Sequence, residues 1–393
     1  MADNLQFILG DSLLSDMLDD FSDQLPSPEA LKFKILVRNK KIGTLVETRE
    51  RRNSDKHGQV QEYEEYEEAD KEEEENKVKE SETLAYLKGY PEKETESKNL
   101  ARLPLFRKKR CKIVNLLHFI FTSKKVKVAL ALSDLVIYTK AEKFRSFYYS
   151  KLYQQFNETN SIGESEARKL SKFSANDFIL HTRKFVTRIY PRATRADSSN
   201  FNPQEFWNVG CQMVALNFQT PGLPMDLQNG KFLDNGSSGY ILKPQFLRDF
   251  ETEFNPYEIP QNSNPVTLTI RLISGVQLPP SSHSSSNKAD TLVIIEIFGV
   301  PYDQMKQQTR VIRRNAFSPR WNETFTFVIQ VPELALIRFV VENQNFLTGN
   351  EFLGQYTLPV LCMSKGYRHV PLFSKFGQSL EPASLFTYIW YVR

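Results

Sequence analysis

Arg188 and Tyr190 lie two residues apart at the end of Phe185–Tyr190, FVTRIY, which reads as a strand. Alternation along a strand places both side chains on one face. A guanidinium binds phosphate oxygens as a two-pronged fork. A tyrosine ring can cover the face of a sugar-like ring. Spacing alone favours ordinary strand-end surface residues over such a phosphate site. Acid–base chemistry has less to work with. A general acid and base must both reach one substrate, and the five histidines, His57, His118, His181, His283 and His369, share no motif. His57 and His118 fall in a polar linker, His283 in a loop, and His369 far from the Arg188 segment. His181, at the start of a strand region, reads as structural. Cys111, Cys211 and Cys362 have no short spacing, which gives neither a disulfide framework nor a zinc site.

The elements around Arg188 alternate. Asn4 to Leu18 has apolar residues at helical spacing, ended by Leu25-Pro-Ser-Pro28. Phe33–Val37 reads as a short strand. Lys127 to Tyr138, KVALALSDLVIY, reads as another. Ser161 to Lys172 reads as a loop entering a helix, with Ser161 as N-cap and Glu164 completing a capping box. Asn202-Pro203-Gln204-Glu205 opens a further helix that Gly210 ends. Gln212–Phe218 and Gly239–Leu242 read as strands. Strands alternating with helices imply a parallel α/β sheet, about half of a barrel, whose C-terminal strand ends build the site.

The flanking segments are different. Residues 48 to about 110 are rich in Glu, Lys and Asn with few apolar clusters, so they read as a disordered linker. An acidic run, Glu62 to Glu75, precedes basic blocks at Arg107–Lys112 and Lys124–Lys127, with an apolar stretch, Ile113–Phe121, between them. The acidic and basic run reads equally as a solvated tether or as a regulatory segment, and its basic blocks suit a contact with anionic lipid. After a polar linker near Glu251–Pro265, short period-two strands recur: VTLTIRLISG, TLVIIEIFG, TRVIRR, WNETFTFVI, ALIRFVVE, FLGQYTLPV and SLFTYIWYV. They predict an antiparallel β-sandwich.

Two stretches resemble one family. TRIYPRATRADSSNFNPQEFWNVGCQMVALNFQTPGLPMDLQNGKFLDNGSSGYILKP resembles the second catalytic-barrel half, the Y region, of phosphoinositide-specific phospholipases C. FSPRWNETFTF with the strands after it resembles the C2 domain that follows the barrel in that family. The implied fold is α/β plus all-β: the second half of a (β/α)8 barrel, then a C2-type antiparallel β-sandwich, with a disordered charged linker. The implied division is 1–47 as the end of the first barrel half, 48–123 linker, 124–248 second barrel half, 249–265 linker and 266–393 C2 domain. The resemblance implies hydrolysis of phosphatidylinositol 4,5-bisphosphate to inositol 1,4,5-trisphosphate and diacylglycerol. It assigns Arg188 to the inositol 4-phosphate, Tyr190 to the ring, Ser161 to the same headgroup, and Arg38 and Lys40 to the 4- and 5-phosphates.

The family's catalytic histidine pair and calcium ligands match nothing in this sequence, so no catalytic or metal-ligating residue is assigned. A truncated form that binds headgroups and membranes without hydrolysis is the alternative reading. Calcium is the family's cofactor. The C2 loops carry Asp290 but Arg314, Asn343 and Asn345 where carboxylates would converge on calcium, so weak or no binding is expected there. The expected partners are phosphatidylinositol 4,5-bisphosphate and a phosphoinositide membrane surface. With a net charge of +4 and no recognisable motif, nucleic acid is not expected. No apolar run reaches the ~20 residues of a membrane span, and the N-terminus lacks a basic n-region. A cytoplasmic, peripherally membrane-bound location follows, with a nuclear one open through the basic block.

Overall fold

The structure is a computed structural model that describes residues 1–19, 23–53, 62–63, 128–259, 264–281, 288–345 and 349–393. The chain divides into two compact units, Met1–Asp16 with Asn39–Ile137, and Met17–Arg38 with Tyr138–Arg393. The first unit is built from α1 (Ala2–Leu9), α2 (Leu45–Asn53), the antiparallel pair β1 (Glu62–Tyr63) and β2 (Val128–Ala129), and α3 (Leu130–Asp134). Ser133 ties it together: its Oγ accepts from Ile42 N at 2.8 Å and its carbonyl from Lys41 Nζ at 3.4 Å.

Several expectations change in these segments. The N-terminal helix stops at Gly10, whose φ of 48° breaks the helical backbone, rather than running to Leu18. Phe33–Val37 is not a strand. It follows a turn, with exposed Phe33 at φ 63°, and Ile35 makes only an isolated bridge. Residues 48–53 belong to α2, so the linker expected over 48–123 starts on a helix. The remainder of that segment, with His57, His118, Cys111, both basic blocks and the apolar stretch 113–121, lies outside the described residues apart from the pairing at 62–63. The strand expected at 127–138 is two residues of β2 followed by α3, because LALSD is rich in the helix formers Leu and Ala.

In the second unit β3 (Lys140–Lys143), β4 (Glu158–Gly163), β5 (Thr187–Tyr190) and β6 (Met213–Val214) form a parallel sheet in that order. Between them run α4 (Phe147–Tyr153), α5 (Glu164–Phe173), α6 (Ala175–Lys184) and the single turn α7 (Gln204–Trp207); α8 (Leu223–Lys231) follows. Ile162 and Ile189 point from the sheet into a core with Phe178, Ile179, Phe201, Phe206 and Val209. Gly210 makes the turn after α7 at φ 77°, and a Cβ there would stand 2.7 Å from Thr182 Oγ1.

The expected strand at Gly239–Leu242 does not form. Tyr240 and Leu242 are exposed, and no strand among the described residues pairs with that segment. The segment expected to be a linker from residue 249 packs on the barrel half instead. Phe254 is buried in the same core, and Arg183 donates to the carbonyls of Phe246 and Thr252 at 2.7 Å. Residues 260–263 lie outside the described set.

The antiparallel sandwich holds β7 (Val266–Val276), β8 (Thr291–Phe298), β9 (Met305–Gln308), β10 (Arg320–Ile329), β11 (Leu336–Asn343), β12 (Glu351–Pro359), β13 (Gly366–Phe373) and β14 (Ser379–Val392). The order is β10-β7-β14-β13-β12-β11-β8-β9. The β12–β13 junction is the pair Gln355–Phe373, and it separates two layers. Between the layers Leu268, Ile270, Trp321, Phe327, Phe339 and Leu385 are buried together. TRVIRR contributes only the bridge Ile312–Thr291, and β13 is a strand the sequence pattern did not reveal.

Barrel half and sandwich share one interior. Val300, Val331 and Leu334 of the sandwich are buried in the barrel-half core. Gln204 Nε2 donates to Leu334 O at 2.9 Å and Asn208 Nδ2 to Gly299 O at 3.0 Å.

Candidate functional site

The burial of β5 alternates: Thr187 and Ile189 face the core, while Arg188 is half-buried and Tyr190 exposed on the other face. Parallel pairing sets Ser161 beside Arg188 and Gly163 beside Tyr190. Ser161 is therefore a strand residue rather than the expected N-cap; the cap position is Gly163. Glu164, expected to close a capping box, is instead fully buried and bound by Arg195. Arg195 Nε and Nη2 donate to its two oxygens at 2.7 and 2.9 Å, and Arg192 N adds a third bond at 3.3 Å. Burial opposes the charge of Glu164, but these donors hold its carboxyl below the usual range. The pair anchors the loop that leaves the C-terminal end of β5, directly after Tyr190.

Arg38 joins this face from a segment far away in sequence. Its Nε donates to Thr159 Oγ1 and its Nη2 to Ser161 Oγ, both at 2.9 Å. Burial, and then the Arg188 charge, push Arg38 below the usual arginine value. Two like charges held close in a partly dry site call for an anion. The Arg188 guanidinium lies 5.5 Å from the centre of the Tyr190 ring, a cation–π spacing. The structure thus brings four of the expected residues, Arg38, Ser161, Arg188 and Tyr190, to one open sheet face. Lys40 falls in the other unit, where it is exposed and its backbone N donates to Asn39 Oδ1 at 2.9 Å.

Two contributors escaped the sequence reading. Thr159 fixes Arg38, which only the fold could reveal. Lys143 pairs with Ser161 in the sheet register, so Lys143, Ser161 and Arg188 form one row on one face. Strand alternation was an available signal for Lys143, but the preceding strand was placed too early. The acids on these strands sit on the opposite face, where Glu142 and Glu158 hold Lys140 Nζ at 2.8 and 3.0 Å. The row around Ser161 is accordingly positive.

His181 lies on α6, not at a strand start. It is buried against Phe144, Phe147 and Phe185, at ring separations of 5.4, 5.7 and 5.1 Å, and neither ring nitrogen has a partner. Burial lowers its pKa to about 4. His369 is on β13 of the sandwich, beside Phe386. Among the described residues no group of three His, Cys, Asp or Glu side chains is placed to hold a metal ion. In the C2 loops Asp290 Oδ1 accepts the backbone N–H of Arg314 at 2.8 Å, and Asn343 Oδ1 accepts that of Asp290 at 2.8 Å. Glu351 accepts from Ser281 Oγ at 2.7 Å and from Asn343 Nδ2 at 3.2 Å. Those groups hold one another; residues 282–287 and 346–348 of the loops, His283 included, lie outside the described set.

Two cavities among the described residues, of about 560 and 620 Å³, are lined by other residues. The larger holds Lys243, whose Nζ donates to Thr182 O and Gly210 O at 2.8 and 3.0 Å, and whose pKa burial lowers to about 8. It ties a turn to a helix end rather than facing a ligand. No helix among the described residues is long and apolar enough to cross a membrane.

Residues 132–246 match the family model described as phosphatidylinositol-specific phospholipase C, Y domain, and residues 266–372 match the C2 domain. The chain is 76% identical over its full length to 1-phosphatidylinositol 4,5-bisphosphate phosphodiesterase zeta-1 of Sus scrofa, covering 59% of that protein. It is 68% identical to the Homo sapiens zeta-1 protein, again over the full chain and 57% of the relative. Against delta-4 of Xenopus laevis identity is 43%, over 99% of this chain and 46% of that protein. The crystal structure of S. officinalis PLC21 superposes with a TM-score of 0.71 at 28% identity, covering 99% of this chain and 42% of that one. The chain thus spans just under three fifths of the length of the zeta-1 relatives cited.

Proposed function

Since the chain belongs to the phosphoinositide-specific phospholipase C family, we propose that its sheet face recognises the phosphorylated inositol headgroup of phosphatidylinositol 4,5-bisphosphate. The protein would thereby take part in cleaving that lipid to inositol 1,4,5-trisphosphate and diacylglycerol. The observation that carries this is the convergence of Arg38 and Arg188 on Ser161. Two guanidiniums and a hydroxyl suit phosphate oxygens, and the Tyr190 ring beside them suits the inositol face. On the family pattern alone, Arg38 and Lys40 match a basic pair for the 4- and 5-phosphates. Recognition is what these residues supply. No acid–base pair or metal site is assigned among the described residues, so no proton-transfer or metal step is derived from them.

A second reading is binding without hydrolysis. His181, the histidine of the barrel half, is walled off by three aromatic rings and cannot reach a substrate. The working location is the cytoplasmic face of a phosphoinositide membrane, reached peripherally by the C2 domain. There the Arg314 N–H on Asp290 favours contact without calcium.

Titration calorimetry of the purified chain with inositol 1,4,5-trisphosphate tests the site. Arg188→Ala should weaken binding by about 1.5–3 kcal/mol, the range for a charge-assisted bond. Equal affinity for the variant would refute the assignment. Hydrolysis of the lipid above a no-enzyme blank, lost in the same variant, would decide for catalysis over binding alone.

A further inference from the structure

The sandwich presents a second surface, distinct from the sheet face just described. Its layer β10-β7-β14-β13 buries Leu268, Ile270, Phe327, Leu385 and Ile389 inside. Alternation sends the residues between them outward. That outer face is aromatic: Tyr367 is 63% exposed, Trp390 48% and Val392 56%. Tyr367 stacks on Phe386 at 5.7 Å and lies 4.9 Å from Tyr388, ring centre to ring centre. Register puts Tyr367, Tyr388 and Arg271 in one row, with Trp390 beside Thr269 in the next row outward. Exposed cations frame it. Lys365 Nζ stands 4.6 Å from the Trp390 ring centre and 4.5 Å from that of Tyr391, and Arg271, in the row of Tyr367 and Tyr388, is exposed. β7 and β13 contain no Asp or Glu, β14 contains only Glu381, near its start, and β10 contains Glu323, which Arg310 pairs at 3.2 Å. The barrel half packs on the other layer, where α8 meets β11 and β12.

We propose that this aromatic, basic sheet face is a docking surface for an anionic phospholipid bilayer. The proposal rests on the membrane reading above and assigns that contact to a particular face. Tyr and Trp rings suit a bilayer interface because one end is apolar and the other polar. Lys365 bends over the rings with its charge free to meet headgroups. Lys and Arg near an anionic leaflet add an attraction that salt screens. The cations among the exposed rings select the occupant. A second copy offering the same face would bring like charge against like charge, whereas an anionic leaflet complements it.

Fluorescence isolates the face. Of the three tryptophans, Trp207 and Trp321 are 7% and 1% exposed, so Trp390 alone is open to solvent. The full chain would be mixed, in EGTA, with vesicles of phosphatidylcholine with or without phosphatidylserine, some carrying dibrominated acyl chains. With phosphatidylserine present, Trp390 should lose accessibility to iodide and become quenched by the brominated lipid. Trp390→Phe should remove that signal. The variant Lys365→Glu, checked by its melting temperature for intact folding, should bind at least fivefold more weakly, the factor that losing about 1 kcal/mol for one charge implies. If the chain sediments with vesicles while Trp390 stays open to iodide, another surface docks; the proposal fails and the membrane reading stands. If it binds no vesicles, both fail. Protection of Trp390 that grows with protein concentration in the absence of lipid would overturn the proposal in favour of self-association.

Discussion

Replacing Arg338 by Met should uncouple the barrel half from the sandwich, and the structure sets the size of the effect. Arg338 lies on β11. Its Nη2 and Nε donate to Asp226 Oδ2 on α8 at 2.8 and 3.2 Å, and its Nη1 donates to Glu296 Oε2 on β8 at 2.8 Å. Asp226 is buried, and burial raises its pKa to about 6 even though Arg338 pulls it down. Met fills a similar volume but leaves buried Asp226 with no cation, beside a Glu296 whose remaining cation is Lys306 at 3.6 Å. Breaking a buried pair from one side costs about 3–5 kcal/mol.

The pH dependence has a definite sign. The folded pKa of Asp226 lies above its unfolded value, so the folded state binds the extra proton, and stability falls as pH rises from about 4 to about 6. The gap from 3.8 to about 6, at about 1.4 kcal/mol per pH unit, caps this contribution at roughly 3 kcal/mol. Without Arg338 the carboxyl should rise further, so the penalty of the variant should shrink at pH 5.5 relative to pH 7.5. Urea unfolding followed by tryptophan emission reports on the region, because Trp207 packs with Leu227 and Leu336 beside the network. Adding Asp226→Asn should recover part of the loss. A loss under 1 kcal/mol at pH 7.5, or a penalty that grows on acidification, would refute the reasoning.

Lys143→Ala should weaken inositol 1,4,5-trisphosphate binding several-fold and reduce its salt dependence, since Lys143 extends the positive row at Ser161; calorimetry at two salt concentrations checks this, with Lys143→Arg expected to retain affinity. Glu164→Ala leaves Arg195 without its carboxylate and should destabilise the fold by about 3 kcal/mol. The stability that Glu164 adds in the wild type is present above its unfolded pKa of about 4.5 and is lost as pH falls through the lowered folded value, so denaturant midpoints of wild type and variant should converge in acid. His181→Phe should be neutral or stabilising, because it replaces a buried ring with two unpaired nitrogens by an apolar one. Protonation of His181 in the unfolded state costs the wild type stability as pH falls from about 6.5 to about 4, so thermal melts of the variant should lose less over that window.

The residues themselves determined the class of this protein. Period-two runs after Val266 specify an antiparallel sandwich because alternation is how a half-buried strand hides one face. The spacing of Arg188 and Tyr190 placed both on one face for the same local reason. Pattern failed where a neighbour was decisive. Gly239–Leu242 has strand composition, yet no described strand pairs with it. Phe254 lies in a segment of linker composition, yet Arg183 and the barrel-half core hold it in place. Glu164 has the spacing of a capping box, but a fork of donors from Arg195 outcompetes one exposed backbone bond. The cluster of charges at Ser161 is tertiary in the same way. Arg38 reaches Ser161 across 123 positions of sequence, and parallel register alone sets Lys143 and Arg188 on either side of that hydroxyl. Local chemistry is written along the chain, whereas the convergence of charges depends on which strands lie side by side, and that is settled by burial of the whole core.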